Sequence, residues 1–237
     1  MGSAKRESSG LEEDCTREDS GKKQRISFTN VNMILITVGP EKAKHYVHSP
    51  LLCEESGFFR AAINSGFKES SEQVIDLPGE KAEHLDNFIH WLYREKFPKL
   101  SAEIVNNTEY PKHDNDIIKS TDRLCYQFTF ADKYDIPRLR KYVLLELIKL
   151  AHNCKAPSAS MIVRYYEATV KKSPLRRLLC DWYTLRVGQK FFESDEYQEG
   201  FSQSPEWAVD LLAACARNWA APPKQQVVAI MKADNYF

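Results

Sequence analysis

A short, uninterrupted apolar run near the start of the chain limits what this segment can fold into. Met33 to Val38 reads Met-Ile-Leu-Ile-Thr-Val, and Gly39-Pro40 follows at once. Six residues are too few for a comfortable helix, β-branched types favour a strand, and Gly-Pro is typical of a turn. We therefore predict a buried strand that enters a turn at Gly39.

Two more strands and two helices are predicted around this run. Alternation in Lys44–His48 indicates a strand at hairpin distance, and Val74–Leu77, which Pro78-Gly79 follows, indicates a third. Ser56 can cap a short helix that Ser65-Gly66 ends. Its apolar face holds Phe59, Ala62 and Ile63. A clearer helix is predicted over 83–94, with one apolar stripe of Leu85, Phe88, Ile89, Leu92 and Tyr93.

The second half of the chain has the pattern of helices only. Helices are predicted over 122–134 and 137–151, and three amphipathic segments follow Asn153. Ser-Pro pairs at 173–174 and 204–205 are typical helix starts. The apolar positions of these segments are Ile162, Tyr165, Tyr166, Thr169 and Val170; Leu175, Leu178, Leu179 and Trp182; and Ala208, Leu211, Leu212 and Cys215. Strands interleaved with helices, then helices alone, predict an α+β fold with an all-α C-terminal extension.

Polar segments indicate how the chain is organised. Residues 1–25 hold Leu11 as their one large aliphatic residue, so we expect a disordered tail. Residues 98–123 are polar and irregular, and we expect a long exposed loop. We accordingly expect one domain over 26–152, containing that loop, and a helical extension over 153–237.

Composition excludes several classes of function. Lys+Arg and Asp+Glu number 33 each, so no global positive field favours nucleic acid. No apolar stretch approaches the length of a membrane span, and the six cysteines are scattered without a paired motif. We expect reduced thiols in a cytoplasmic or nuclear protein that binds neither nucleic acid nor membrane.

Five motifs, in order along the chain, resemble the BTB/POZ family. They are the first strand from Asn32; Tyr46–Leu52, which matches aromatic-x-His-x-x-Leu-Leu; Ser56–Phe59, which matches Ser-x-x-Phe; the helix end Phe88–Tyr93; and Ala131–Tyr134, which matches Ala-Asp-Lys-Tyr. The resemblance covers Val31 to about His152 and implies a helical cluster capped by a short three-stranded sheet. Ser173 to Leu179 resembles the helical extension of short BTB proteins that are abundant in filamentous fungi.

The resemblance also implies which residues define the fold or an interaction surface. They are Asn32, His48, Ser49, Phe58, Phe59, Asp132 and Tyr134. Phe59 is expected in the core, and His48 is expected to be a buried polar group with a backbone partner. Asn32 and Ser49 stand where charged-pocket members carry Asp and a basic residue, so the resemblance does not extend to such a pocket.

Packing accounts for the histidines, cysteines and tryptophans of this sequence better than metal binding or catalysis does. His45 and His48 are three apart on a strand and face opposite sides, which argues against a metal pair. Cys53, at a helix start, is expected to be a packed thiol and not a nucleophile. No phosphate loop or catalytic motif is present, so we expect no catalytic residue, cofactor or metal. Tryptophans 182, 207 and 219 fit core packing better than partner anchoring.

The expected function is protein interaction: self-association as a homodimer and scaffolding of protein partners. The predicted dimer surface is an apolar face on the first strand and first helix, to which alternating Ile26, Phe28 and Val31 add an exchanged strand. The alternative is a substrate-recruiting adaptor of a cullin-type ubiquitin ligase. Cullin adaptors carry a hydrophobic-x-acid triplet where this chain has Arg123–Tyr126 without an acid, so cullin binding is possible but disfavoured. An enzyme hidden in the extension lacks an acid, base and nucleophile cluster.

Overall fold

The computed structural model describes residues 32–64, 73–98, 114–186, 188–218 and 232–237. The strands are β1 Met33–Val38, β2 Ala43–His48 and β3 Val74–Leu77. The helices are α1 Ser49–Glu55, α2 Gly57–Asn64, α3 Ala82–Arg94, α4 Asp114–Lys133, α5 Pro137–Asn153, α6 Ala159–Glu167, α7 Pro174–Arg186, α8 Gln189–Phe192, α9 Asp195–Gln203 and α10 Pro205–Asn218, with a 3₁₀ turn at Ala233–Asn235.

The three strands form one small sheet in the order β2-β1-β3. β1 pairs antiparallel with β2, and it pairs parallel with β3, where Leu35 aligns with Val74. Gly39 has φ +70° in the turn after β1, and a Cβ there would lie 3.2 Å from the Glu80 carbonyl oxygen. Glycine is therefore the residue that this turn accommodates, as the Gly-Pro signal predicts.

Helices cover the inner face of this sheet. Alternate residues of β1 and β2 are buried there, namely Ile34, Ile36, Val38 and Val47. They join one hydrophobic core with fully buried residues of α1 to α5, including Leu52, Phe59, Leu85, Phe88 and Leu139. Pro137 stands at the start of α5, where its missing N–H has no intrahelical role. The α+β class and the helical cluster under a three-stranded sheet are confirmed.

The later helices pack on α4 and α5 and continue the same core. The Trp182 indole donates to the Cys154 carbonyl at 3.3 Å within the extension, and Arg186 Nε donates to the Ala151 carbonyl of α5 at 3.1 Å. The Tyr165 hydroxyl donates to the Asp122 carboxylate at 2.8 Å. Trp182 and Trp207 are fully buried, so their assignment to the core is confirmed. The extension is thus joined to the first part of the chain by apolar packing and by hydrogen bonds.

The predicted polar loop over 98–123 extends too far towards the C-terminus. Helix α4 begins at Asp114, eight residues before the predicted start at Asp122. Its first turns are polar, and Ile118 is exposed, so no apolar period marks them. Residues 99–113 lie outside the described residues, as do the predicted tail over 1–25, the exchanged strand at 26–31, Ser65-Gly66 and Trp219.

The predicted buried faces of three helices also need correction. α6 ends at Glu167, so Val170 is outside it and exposed. Leu212 of α10 is exposed, because that helix turns Trp207, Leu211 and Ala214 inward instead. Tyr93 is exposed at the end of α3. Helices α8 and α9 were not predicted. Among the described helices, none has the length and apolar character that crossing a lipid bilayer requires.

Candidate protein interaction site

An aromatic cluster fixes α2 against the end of α4. Phe59 is 0% exposed and its ring stacks on those of Tyr134 and Phe88, with centroids 5.7 and 6.1 Å away. Phe58 is 39% exposed and meets Tyr134 edge-on at 5.0 Å. Consecutive helical residues point about 100° apart, so one phenylalanine enters the core and the other lies at its rim. The burial predicted for Phe59 is confirmed.

Ser56 links the start of α2 to the turn between α4 and α5. Its Oγ accepts the Phe59 amide at 3.0 Å, which caps the helix, and donates to the Tyr134 carbonyl at 2.6 Å. The Gly57 amide donates to the Asp135 carbonyl at 3.0 Å. A Cβ on Gly57 would meet the Asp135 carboxylate, so a larger residue there would make this exposed side chain rotate away.

Glu80 is a buried carboxylate beside this cluster. Its side chain is 4% exposed, and its Oε1 accepts the Tyr134 hydroxyl at 2.9 Å and the Lys133 ammonium at 2.6 Å. The Tyr126 hydroxyl donates to Oε2. Burial alone would raise the pKa of Glu80, but the bonds from Lys133, Tyr126 and Tyr134 outweigh it and lower this pKa. Burial and the bond to Glu80 raise the pKa of both tyrosines.

Asp132, predicted together with Tyr134, lies apart from the cluster. It is exposed, and its Oδ1 accepts Arg140 at 2.7 Å. The two motif residues therefore act differently: Tyr134 holds the buried carboxylate, and Asp132 bridges the end of α4 to the first turns of α5. Exposed ion pairs contribute at most about 1 kcal/mol, so Asp132 is the less important of the two for stability.

The other three predicted residues meet where β1 begins and β2 ends. The Ser49 amide donates to the Asn32 carbonyl at 2.9 Å, next to the pair Met33–His48. His48 is half-buried, and its Nδ1 lies 2.6 Å from the Tyr93 hydroxyl, which also accepts the His48 amide at 3.2 Å. His48 was expected to be a buried polar group with a backbone partner; it is half-buried instead, and its ring is bonded to the Tyr93 side chain at the end of α3.

The outer face of the sheet carries apolar side chains. Leu35 pairs with Tyr46 on β2 and with Val74 on β3, and Met33 lies two residues along β1. Paired residues share a face, so these four project away from the core. Tyr46 is 63% exposed, and the other three are half-buried. We call Met33, Leu35, Tyr46 and Val74 the sheet patch.

Comparison with known proteins identifies the family. The sequence model of the BTB/POZ domain matches residues 24–149. This chain belongs to the BTB/POZ family. It is also 25% identical over 178 residues to a BTB/POZ domain-containing protein of Arabidopsis thaliana, covering 73% of this chain and 75% of that protein. BTB domains are protein–protein interaction modules and often dimerise. The likeness to fungal members stays a prediction, since this relative is a plant protein.

The window of the BTB domain compared with cullin adaptors lies on α4. Leu124 and Cys125 are buried, and the Tyr126 hydroxyl is bonded to Glu80. Arg123 donates to the Pro98 carbonyl at 2.7 Å, with its guanidinium 5.4 Å from the centre of the Phe97 ring. This window therefore presents neither an acid nor a free apolar side chain.

The candidate chemical groups of the BTB domain and the extension are engaged in packing and hydrogen bonds. His45 Nε2 lies 2.9 Å from the Asp86 carboxylate, and the His84 ring stacks on Tyr126. Cys53 is buried, as are Cys125, Cys154 and Cys180. Burial raises the pKa of the Cys180 thiol to about 12, which keeps it protonated. In the described ranges, no group of three His, Cys, Asp or Glu side chains could hold a metal ion.

Sequence reasoning missed four residues of this region. Tyr46 could have been found, because strand alternation places it on the face opposite buried Val47. The bonds of Glu80, Tyr93 and Tyr126 gave no local signal, since their partners lie 45 or more residues away along the chain and only the tertiary fold joins them.

Proposed function

We propose that this protein is a non-catalytic interaction module that self-associates through the sheet patch and the adjoining helix α1, and that it scaffolds further protein partners. The observation that supports this proposal is the exposed apolar surface of the sheet patch. A strand such as β1, apolar at nearly every position, is typical of a sheet that is covered on both faces. The described helices cover its inner face, and the outer face leaves Tyr46 exposed beside three half-buried apolar residues.

The sheet patch includes part of the surface expected for the dimer, on the first strand, and extends it to β2 and β3. β1 is the central strand of the described sheet, with β2 on one side and β3 from Leu35 onward on the other, and its outer-face residues are Met33, Leu35 and buried Thr37. Exposure is greatest on β2, at Tyr46, and Leu51 of the following helix α1 is half-buried and packed in part against the core. Contiguous apolar surface of this kind marks protein contact sites.

The neighbouring polar residues favour association at low desolvation cost. Asn32 and Ser49 are uncharged and are joined through their backbones at 2.9 Å. Burying a charged pair in their place would require removing two ions from water, a penalty of several kcal/mol for each ion. Two copies can therefore meet beside the sheet patch without an unpaired charge at these positions.

Capture of one copy by another tests the proposal. Immobilised wild-type chain should retain untagged wild-type chain and should retain Tyr46→Glu at least tenfold less, because the variant buries a carboxylate against apolar side chains. Val170→Glu places the same charge at an exposed apolar position in the extension and is the matched control. It should be retained like wild type. Equal retention of all three would reject the sheet patch as the self-association surface.

A further inference from the structure

A short segment of the chain occupies a pocket between the BTB domain and the extension. Residues 232–237 contain one 3₁₀ turn, Ala233–Asn235, which contacts α5. Tyr236, directly after the turn, is 4% exposed, whereas Phe237 is 54% exposed. The other residues of the segment are exposed or half-buried. The segment is thus held in place by one fully buried side chain.

A buried carboxylate in this pocket receives the tyrosine hydroxyl. Asp181 of α7 is 2% exposed, and its Oδ2 accepts the Tyr236 hydroxyl at 2.9 Å. Its Oδ1 accepts Arg217 at 3.3 Å and Asn218 at 3.2 Å, both at the end of α10. Arg177 Nε lies 3.9 Å from Oδ2, beyond hydrogen-bond distance. The helices therefore satisfy one oxygen of this carboxylate, and the other oxygen depends on the tyrosine.

Cations from α5 and α7 lie over the two aromatic rings of the segment. The Arg177 guanidinium is 5.7 Å from the centre of the Tyr236 ring, and the Lys141 ammonium is 4.9 Å from the centre of the Phe237 ring. Cation–π attraction at these distances favours aromatic side chains over aliphatic ones. Burial and the charge of Asp181 raise the pKa of Tyr236, so its hydroxyl keeps the proton that it donates. We call Lys141, Arg177, Asp181, Arg217 and Asn218 the tyrosine pocket.

The segment is attached by few contacts, so it can leave the tyrosine pocket while the core stays folded. Each ordered residue loses backbone entropy, and a single buried side chain offsets this loss for the whole segment. Local opening of a weakly held segment requires less free energy than global unfolding. When the segment leaves, Asp181 Oδ2 loses its hydrogen-bond donor, which is unfavourable for a buried carboxylate. The vacant pocket therefore favours another phenol in the same place.

The chain's own segment indicates which partner fits the pocket. Tyrosine is required, because phenylalanine gives no donor to Asp181 and phosphotyrosine would place a second anion against it. An aromatic residue directly after the tyrosine would lie beside Lys141, as Phe237 does. The pocket thus selects an unmodified tyrosine followed by an aromatic residue.

We propose that the tyrosine pocket docks a partner segment with an unmodified Tyr-Phe pair, and that residues 232–237 are its built-in competitor. Partner binding exchanges one tyrosine for another on Asp181, so it displaces the chain's own segment and leaves the core unchanged. This docking extends the proposed scaffolding of further partners. It is separate from self-association, because it uses α5, α7 and α10 and not the sheet patch.

The connection between the segment and α10 sets how strongly the segment competes. A segment joined to its own site by a short stretch of chain has an effective concentration of about 1 mM there. A free peptide that binds the vacant pocket with a dissociation constant of about 100 µM is then weakened about tenfold by the closed segment. Removing the tyrosine of the segment should restore the full affinity.

A synthetic peptide with the sequence of residues 232–237, labelled with fluorescein at its N-terminus, tests this docking on the full chain. Fluorescence anisotropy should show at least tenfold tighter binding to Tyr236→Ala than to wild type. Tyr236→Phe keeps the buried ring and removes the hydroxyl, so it should bind the peptide severalfold more tightly than wild type. Peptides with phenylalanine or phosphotyrosine in place of tyrosine should bind Tyr236→Ala at least tenfold more weakly. Phe192→Ala removes an exposed aromatic ring elsewhere in the extension and is the control, which should bind like wild type.

Four results would overturn the proposal. Equal affinity of wild type and Tyr236→Ala would place the peptide outside the tyrosine pocket. Equal affinity of the three peptides for Tyr236→Ala would remove the role of Asp181. Absence of peptide binding to both Tyr236→Ala and Tyr236→Phe would assign the segment to the chain's own core. Loss of self-capture by Tyr236→Ala, with Tyr46→Glu still captured, would assign the pocket to the segment of a second copy.

Discussion

Replacing Phe59 by alanine should destabilise the BTB domain more than replacing its neighbour Phe58. Phe59 is 0% exposed, with its ring stacked on Tyr134 at 5.7 Å and on Phe88 at 6.1 Å. These contacts join α2, which carries Phe59, to α3 and to Tyr134 directly after α4. Those helices are fixed by the rest of the core, so the space left by the ring cannot close fully.

The expected loss follows from burial and ring contacts. Removing a fully buried phenylalanine costs about 3 to 5 kcal/mol, including the cavity left behind. Two aromatic neighbours each add about 0.5 to 1.5 kcal/mol beyond burial, which places Phe59→Ala in the upper part of that range. Phe58 is 39% exposed, and water can fill its place, so Phe58→Ala should cost about 1 to 2 kcal/mol.

Urea unfolding at 25 °C, followed by circular dichroism, measures both values. The free energy of unfolding should fall by about 4 kcal/mol for Phe59→Ala, with the slope against urea unchanged. Phe58→Ala is the matched control, since it removes the same atoms one residue away. A loss below about 1 kcal/mol for Phe59→Ala, or equal losses for the two variants, would show that the ring is not in the core.

Three further outcomes are expected. Glu80→Gln should destabilise the protein at pH 7. Because the folded-state pKa of Glu80 lies below the ordinary 4.5, the loss of stability relative to wild type should be full above pH 4.5 and shrink as the pH falls below it. Urea unfolding across pH measures this loss, with exposed Glu54→Gln as control, and a loss that grows in acid would contradict the bonding of Glu80. Truncation after His152 removes the partners of Asp122 and Ala151 and should lower solubility and melting temperature, whereas a soluble fragment with unchanged melting would show that the extension is independent. Purified cullin should bind weakly or not at all, and a sub-micromolar complex in calorimetry would make the adaptor function the better proposal.

The main elements could be predicted because their signals are local. β1, β3, α3 and α5 each carry an apolar period, a turn pair or a proline start within a few residues. The Ser56 cap could be predicted for the same reason, because the amide that its hydroxyl accepts belongs to Phe59, three residues further along the chain. Family motifs added the positions of Phe59 and Tyr134, which local pattern alone does not distinguish from other aromatic residues.

The sequence predictions failed where tertiary contacts determine the structure, and where the residue pattern of a helix does not show which face is buried. α4 begins with polar turns, so its first eight residues resemble a loop. α10 is apolar on both faces, so periodicity could not decide whether Leu212 or Trp207 faces inward. The pairing of Glu80 with Tyr134 spans 54 residues, and that of His48 with Tyr93 spans 45, which no local window contains.

The mass of the unaltered chain in solution tests the proposed function most directly. Sedimentation equilibrium at 1 to 50 µM should show a mass that rises with concentration from 27.4 kDa towards twice that value, because the sheet patch is buried in a reversible dimer. The same runs on Tyr46→Glu should give 27.4 kDa throughout. A wild-type mass of 27.4 kDa at every concentration would contradict self-association and leave the sheet patch without the role proposed for it.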